Sequence, residues 1–286
     1  MTETITVDGL GVVAERPARA TQPPVLFVHG MQAGAWAFAN YQRYFAERGY
    51  PNYAVELRGR PGSRTVADLG RVSVRDYVAD GLAVAAEVSR RHGGTRPVVV
   101  GHSMGGLIAQ KMAEADAVSA AVLLCSAPPR GIVVSSRQLL SRQLKYLWPI
   151  VRSKPIAGSR ADHDLLTFHR IPEGERQALF ERLGPESGRV GLELSIGALA
   201  VDARRVRCPV LVVSAADDRF VPPGVARRLA RKYNAPHLEF GGFAHFIVQE
   251  PGWEGPAEAI ERWLSGVTGE RGGPTPGALG GPPPTS

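Results

Sequence analysis

At 286 residues, with 44% hydrophobic side chains, the chain can bury one large core, which excludes a fibrous or mostly disordered protein. The formal charge of +7 rests on thirty arginines and four lysines against 27 acids. That arginine excess reads as the codon bias of a GC-rich genome, so net charge alone is no argument for nucleic acid, and no nucleic-acid partner is expected.

The N-terminus has no basic start leading into an apolar run, and no segment approaches a membrane span, so a cytoplasmic location without stable membrane insertion is expected. Thr4 to Val7 and Val12 to Ala14 read as a hairpin turning on Asp8-Gly9. Val25 to Val28 is a continuous apolar run, the mark of a strand buried on both faces, and it ends in His29-Gly30-Met31. Trp36, Tyr41, Tyr44, Phe45 and Arg48 follow at helical spacing and stop at Gly49. Tyr53 to Leu57 is the next strand, leading into the loop Arg58-Gly59-Arg60-Pro61-Gly62-Ser63. Ser73 with Asp76 marks a helix start, and Tyr77, Val78, Gly81, Leu82, Ala85 and Val88 form its apolar stripe.

Val98 to Val100 then runs into Gly101-His102-Ser103-Met104-Gly105-Gly106, after which Leu107, Ile108 and Met112 recur at helical spacing. With 33 glycines in the chain, a G-x-S-x-G is expected by chance in roughly one such sequence in five, so its context must decide. The context is strand, sharp turn, helix, which forces the serine into a strained conformation and exposes its hydroxyl. Ala120 to Cys125 is another buried strand. From about 130 to 205 the alternation of strand and helix lapses, and it resumes with Val210 to Val213, Asp217-Asp218, a helix over Val225 to Tyr233, a short strand at Leu238 to Phe240, His245 on a glycine-containing loop, and a last helix with Trp253, Ala257, Ile260 and Leu264 inward. From Thr268 the chain is Gly- and Pro-rich, and residues 268–286 are expected to be disordered. Cys125 and Cys208 fall at opposite edges of the sheet, so both are expected as free thiols, consistent with a reducing compartment.

On the serine turn and the order Ser103, Asp218, His245, the sequence resembles the α/β-hydrolase superfamily, in particular its small esterase and lysophospholipase-like members, over about residues 5 to 265. The resemblance implies an α/β fold with a mostly parallel central sheet and helices on both faces. Residues 1–129 and 206–267 would form the core and 130–205 a helical cap. It makes Ser103 the nucleophile and His245 the base. Anchoring on Val221-Pro222 makes Asp218 the acid, with Asp217 as the competitor. The backbone N–H groups of Met31 and Met104 would hold an oxyanion, and His29, Gly30, Trp36 and His102 would border the substrate pocket. Many relatives carry Arg-Gly-His-Gly-x-Ser where this chain has Arg58-Gly59-Arg60-Pro61-Gly62-Ser63, so this loop is expected to be structural.

The implied reaction is acyl transfer to water through an acyl-enzyme, with no cofactor or metal required. Three readings remain open: an ester hydrolase, a thioesterase or cyclase acting on a carrier or coenzyme A thioester, and a non-catalytic binding homologue. Eight basic and two acidic residues between Arg130 and Arg170 give the cap a surplus of +6, which fits either a small acyl substrate that is anionic or carrier-bound or a solvated lid kept soluble by its arginines. Leu139, Leu140, Leu144, Leu147 and Trp148 form one face of a cap helix bearing Arg137, Arg142 and Lys145 elsewhere, a face expected to pack on the main domain or line the pocket. His163 and His169 are read as surface residues rather than metal ligands.

Overall fold

A strand that is apolar along its whole length is stable only where both of its faces are covered, and that requirement organises this protein. The computed structural model describes residues 1–134 and 145–269. Thr2–Val7 (β1) and Leu10–Glu15 (β2) form the expected hairpin, with Asp8 and Gly9 at φ of 50° and 77°. Behind it come Val25–Val28 (β3), Asn52–Val55 (β4), Val98–His102 (β5), Ala120–Leu124 (β6), Val210–Ala215 (β7) and His237–Phe240 (β8). The sheet order is β1-β2-β4-β3-β5-β6-β7-β8. β2 pairs antiparallel with β4, and every neighbour from β4 to β8 is parallel.

Alternate residues of the central strands go to opposite cores. Val25, Phe27, Val98, Val100, Val122 and Leu211 pack beneath Ala39–Glu47 (α1) and Glu254–Gly269 (α9). Leu26, Val28, Val99, Leu123 and Val212 pack beneath Val74–Arg91 (α2), Met104–Glu114 (α3) and Pro223–Tyr233 (α8). Burying one such side chain contributes about 1.5–3 kcal/mol, so the two layers together dominate the stability. α2 starts with the predicted capping box, Ser73 and Asp76 each satisfying the other's backbone N–H.

Between β6 and β7 the described residues form no strand. They hold helical residues 145–151 (α4), Arg160–Leu166 (α5), Glu173–Glu181 (α6) and Gly188–Ser195 (α7). This insertion leaves and rejoins the core at one place, since the Arg130 N–H donates to the Leu199 carbonyl at 2.7 Å. It is tied down by Ser187, whose Oγ lies 2.6 Å from the Val72 carbonyl oxygen to which it donates.

Three expectations need correction. β4 ends at Val55, two residues short of Leu57, because the chain already turns towards the Arg58 loop. α9 continues to Gly269, past the expected end of the core. Of the expected apolar face of the cap helix, the two described residues do not pack on the main body: Leu147 and Trp148 are 53% and 66% exposed. Arg137, Leu139, Leu140, Arg142 and Leu144, and the chain from 270 onward, lie outside the described residues. Cys125 and Cys208 are both unpaired thiols. Among the described residues no helix is long and apolar enough to cross a membrane.

Candidate active site

β5 ends at His102 and α3 begins at Met104, so one residue makes the whole turn. Ser103 takes φ 55° and ψ −119°, a conformation that costs about 1–3 kcal/mol in a residue with a side chain. Its glycine neighbours are demanded by close approach. A Cβ at Gly101 would stand 2.2 Å from the Gly105 carbonyl oxygen, and one at Gly105 would stand 2.0 Å from that of Val28. The Ser103 N–H donates to the Leu124 carbonyl at 3.0 Å, and its own carbonyl accepts from Gly106 and Ala127 at 2.9 Å. β6 and α3 thus hold the strained turn from both sides.

The Ser103 hydroxyl oxygen lies 2.9 Å from His245 Nε2, and His245 Nδ1 lies 2.8 Å from Asp218 Oδ2. Asp218 owes its orientation to the start of the β7 to α8 loop, where its Oδ1 accepts the N–H groups of Phe220 and Val221 at 2.8 Å each. That leaves Oδ2 for the imidazole. Asp217, the competing acid, is 37% exposed and pairs with Arg170 at 2.5 Å. The histidine loop is pinned in turn: His102 Nε2–H donates to the His245 carbonyl at 2.7 Å, and Glu250 Oε2 accepts the Ala244 N–H at 2.6 Å. The Phe220 ring sits 4.9 Å from the His245 ring.

The loop after β3 lies directly against the serine, for a Cβ on Gly30 would stand 3.0 Å from Ser103 Cβ. Among the described residues neither the Met31 N–H nor the Met104 N–H donates to a protein acceptor. Met104 is the first residue of α3, where the helix dipole favours negative charge. His29 steadies the other donor: its Nδ1–H donates to the Gly30 carbonyl at 2.8 Å, and its Nε2 accepts the Leu57 N–H at 3.3 Å. The arrangement sets a serine hydroxyl against an imidazole that a carboxylate holds, with the unspent Met31 and Met104 N–H groups on the loop and the helix start that flank the serine.

A family model described as the alpha/beta hydrolase family matches residues 25–253, most of the chain. The chain belongs to the alpha/beta hydrolase family. Solved structures agree in fold. This hydrolase is similar to a monoacylglycerol lipase from Paleococcus ferrophilus, at 22% identity and TM-score 0.71, over 90% of this chain and 99% of that one. It is similar to the esterase RhEst1 from Rhodococcus sp. ECU1013, at 20% identity and TM-score 0.69, over 93% and 99%. A thermophilic esterase from Thermogutta terrifontis (malate bound) matches at 20% identity and TM-score 0.66, over the same shares.

The remaining expected residues of this hydrolase fall into three groups. Trp36 stands edge-on to Phe246 at 5.9 Å, with the Arg182 guanidinium 4.4 Å over its ring, so it lies one ring away from the His245 loop. His29 and His102, expected at the pocket, are buried struts that hold backbone carbonyls, and burial lowers each imidazole to about 3, keeping both neutral. Arg58 and Arg60 are structural as expected: Arg58 Nη2 meets Asp80 at 2.6 Å, and Arg60 forms a buried ion pair with Glu186 of the insertion.

His163 is a correction. It turns inward between Phe168 and Phe180, its Nε2 lies 2.9 Å from Gln32 Oε1, and burial lowers it to about 4. His169 Nε2–H donates to the Asp217 carbonyl at 3.0 Å. Much of the insertion's positive charge is also paired, Lys145 on Asp162 and Arg160 on Asp164 within it, and Arg170 on Asp217 of the core. The residues that sequence reasoning missed are Gln32, Tyr77 through its hydroxyl, Glu186, Glu250 and Cys125. The only hint was Arg60, an arginine where the resembled pattern has a histidine. Cys125 lies against Asp218, and burial together with that carboxylate raises its thiol well above the usual range.

Proposed function

We propose that this protein is a serine hydrolase of carboxylic esters working through an acyl-enzyme on Ser103. The observation that carries the reading is the unbroken chain from Ser103 Oγ to His245 Nε2 at 2.9 Å and from His245 Nδ1 to Asp218 Oδ2 at 2.8 Å. Ser103 Oγ attacks the acyl carbonyl while its proton passes to His245 Nε2, and Asp218 holds the tautomer and stabilises the imidazolium. The carbonyl oxygen becomes an oxyanion facing the Met31 and Met104 N–H groups, each worth about 3 kcal/mol of barrier in comparable enzymes. Collapse expels the alcohol, which takes the proton from His245. Water then repeats the sequence and releases the acid.

Residues 130–205 act in this reading as a cap over the site. The Phe220 ring, 4.9 Å from that of His245, supports an apolar acyl group, and the lipase and esterase among the similar structures support an oxygen ester. The two free thiols support an intracellular setting. The test is turnover of a chain-length series of p-nitrophenyl esters beside acyl-thioesters, with Ser103→Ala as the blank and fluorophosphonate labelling as the second readout. Ester turnover and labelling that both vanish in Ser103→Ala are expected. Labelling that survives the substitution rejects the nucleophile, and thioester turnover far above ester turnover rejects the substrate class.

A further inference from the structure

Met31 lies between two peptide planes. The first carries the Gly30 carbonyl and the Met31 N–H on opposite sides, and His29 holds it by donating Nδ1–H to that carbonyl at 2.8 Å. The second carries the Gln32 N–H, which donates at 3.0 Å to Glu186 Oε2, a carboxylate of the insertion that is wholly buried. Gln32 sits at φ 63°, a region that a residue with a side chain does not hold without external support. Its remaining polar groups are also taken by the insertion: its carbonyl accepts the Gly184 N–H at 2.8 Å, and its Oε1 lies 2.9 Å from His163 Nε2.

The carboxylate that performs this task is itself saturated. Glu186 Oε1 accepts the Tyr77 hydroxyl at 2.6 Å and the Ser187 N–H at 2.8 Å, while Oε2 accepts the Gln32 N–H and the Arg60 guanidinium. Arg60 Nη1 also donates to the Pro185 carbonyl at 2.8 Å. Four donors fill the capacity of a carboxylate and leave it no alternative position. α2 supplies Tyr77, the loop after β4 supplies Arg60, and the loop after β3 supplies Gln32. The carboxylate therefore joins three parts of the core to the insertion at the residue next to Met31.

We infer that Glu186 is a positioning residue of the oxyanion hole: through the Gln32 N–H it fixes the peptide after Met31, so the insertion, as well as the core, sets where the Met31 N–H points. The inference rests on the proposed acyl-transfer reading. It requires that loosening Glu186 harm the tetrahedral state and spare ground-state binding, because the bond acts on an oxyanion donor and touches no substrate atom.

The experiment compares Glu186→Gln and Tyr77→Phe with the unaltered protein, using p-nitrophenyl butyrate for kcat and KM. Alkyl boronic acid inhibition, in which Ser103 adds to boron and leaves a tetrahedral anion in the hole, gives a second readout. Glu186→Gln should lower kcat about 10- to 100-fold, up to the loss of one oxyanion donor, with KM within about threefold. The boronate should lose affinity in step, and a non-reacting alcohol of the same chain length should not. Tyr77→Phe, which removes one donor from the same carboxylate and keeps the ring packed, should move kcat and boronate affinity together by about threefold, and it serves if Glu186→Gln does not fold. A lower melting temperature with kcat and boronate affinity unchanged would make Glu186 merely structural and overturn the inference, as would a rise in KM alone. If Ser103→Ala retains turnover or boronate binding, the underlying reading fails as well. If that variant is dead and the Glu186 and Tyr77 variants are normal, only the inference fails.

Discussion

At Gly105 an added carbon would stand 2.0 Å from a backbone oxygen, whereas at Glu186 a buried carboxylate receives four donors from three parts of the core and from its own neighbour. Both positions lie beside the loop that follows β3, and both are intolerant, but for opposite reasons. The serine turn is held by lack of space, a short-range effect of backbone pressed against backbone. The insertion is held by charge and hydrogen bonding between residues far apart, such as Arg60 and Glu186. Steric constraint of the first kind fixes a conformation outright. A buried ion pair of the second kind is conditional, since either partner alone is worse than neither.

The contrast can be broken by substitution. The largest effect belongs to the serine side: Asp218→Asn should lower kcat by on the order of 10⁴, as removal of a triad acid does elsewhere, with Asp217→Asn within about twofold. Steady-state ester kinetics on the two variants decide it, and the opposite ranking would reject the register of the acid. Next is Arg60→Ala, which leaves the buried Glu186 without its counter-ion. It should cost about 3–5 kcal/mol in denaturant unfolding, and a loss below 1 kcal/mol would mean that water reaches the carboxylate.

A smaller effect concerns Glu250, whose burial raises its carboxyl from 4.5 to about 7. A raised carboxyl favours the folded state below pH 4.5 and loses that contribution as pH climbs towards 7. Glu250→Gln carries no such charge, so its stability relative to the unaltered protein should improve by on the order of 1–3 kcal/mol across that window. Melting curves at stepped pH test the sign, and a constant gap would show that Glu250 titrates normally. Smallest of all, Leu147→Ser with Trp148→Ser should change stability by no more than about 0.5 kcal/mol, because both side chains already face solvent. A larger loss in thermal unfolding would reveal packing on this face.

The same division decides what the sequence could tell. β3, β5, β6 and β7 are legible because burial on both faces writes itself as an unbroken apolar run, and the serine turn is legible because close approach leaves glycine no substitute. Asp218 is legible only through its distance to Val221-Pro222, and the loop gives the physical reason, since the Phe220 and Val221 N–H groups hold Asp218. His163 reads as a surface residue because no cysteine or carboxylate stands at ligand spacing from it, and nothing local in the sequence records the distant Gln32 that it meets. The exposure of Leu147 and Trp148 was not legible because periodicity shows that residues share a side and says nothing of what lies opposite. Arg60 and Glu186, 126 residues apart, obey no period at all.

Arg130, bonded to Leu199 through its N–H and to Ala198 through its guanidinium, closes the neck of the insertion, so both ends meet the core at one place and the segment between them can be exchanged as a module. β6 and β7 pair side by side without reference to its length, and doubling a loop adds only about 0.6 kcal/mol of closure entropy. A lineage, or an engineer, can therefore trade one roof for another without disturbing the sheet. The limit on that freedom is local: whatever replaces the insertion must still offer an acceptor to the Gln32 N–H.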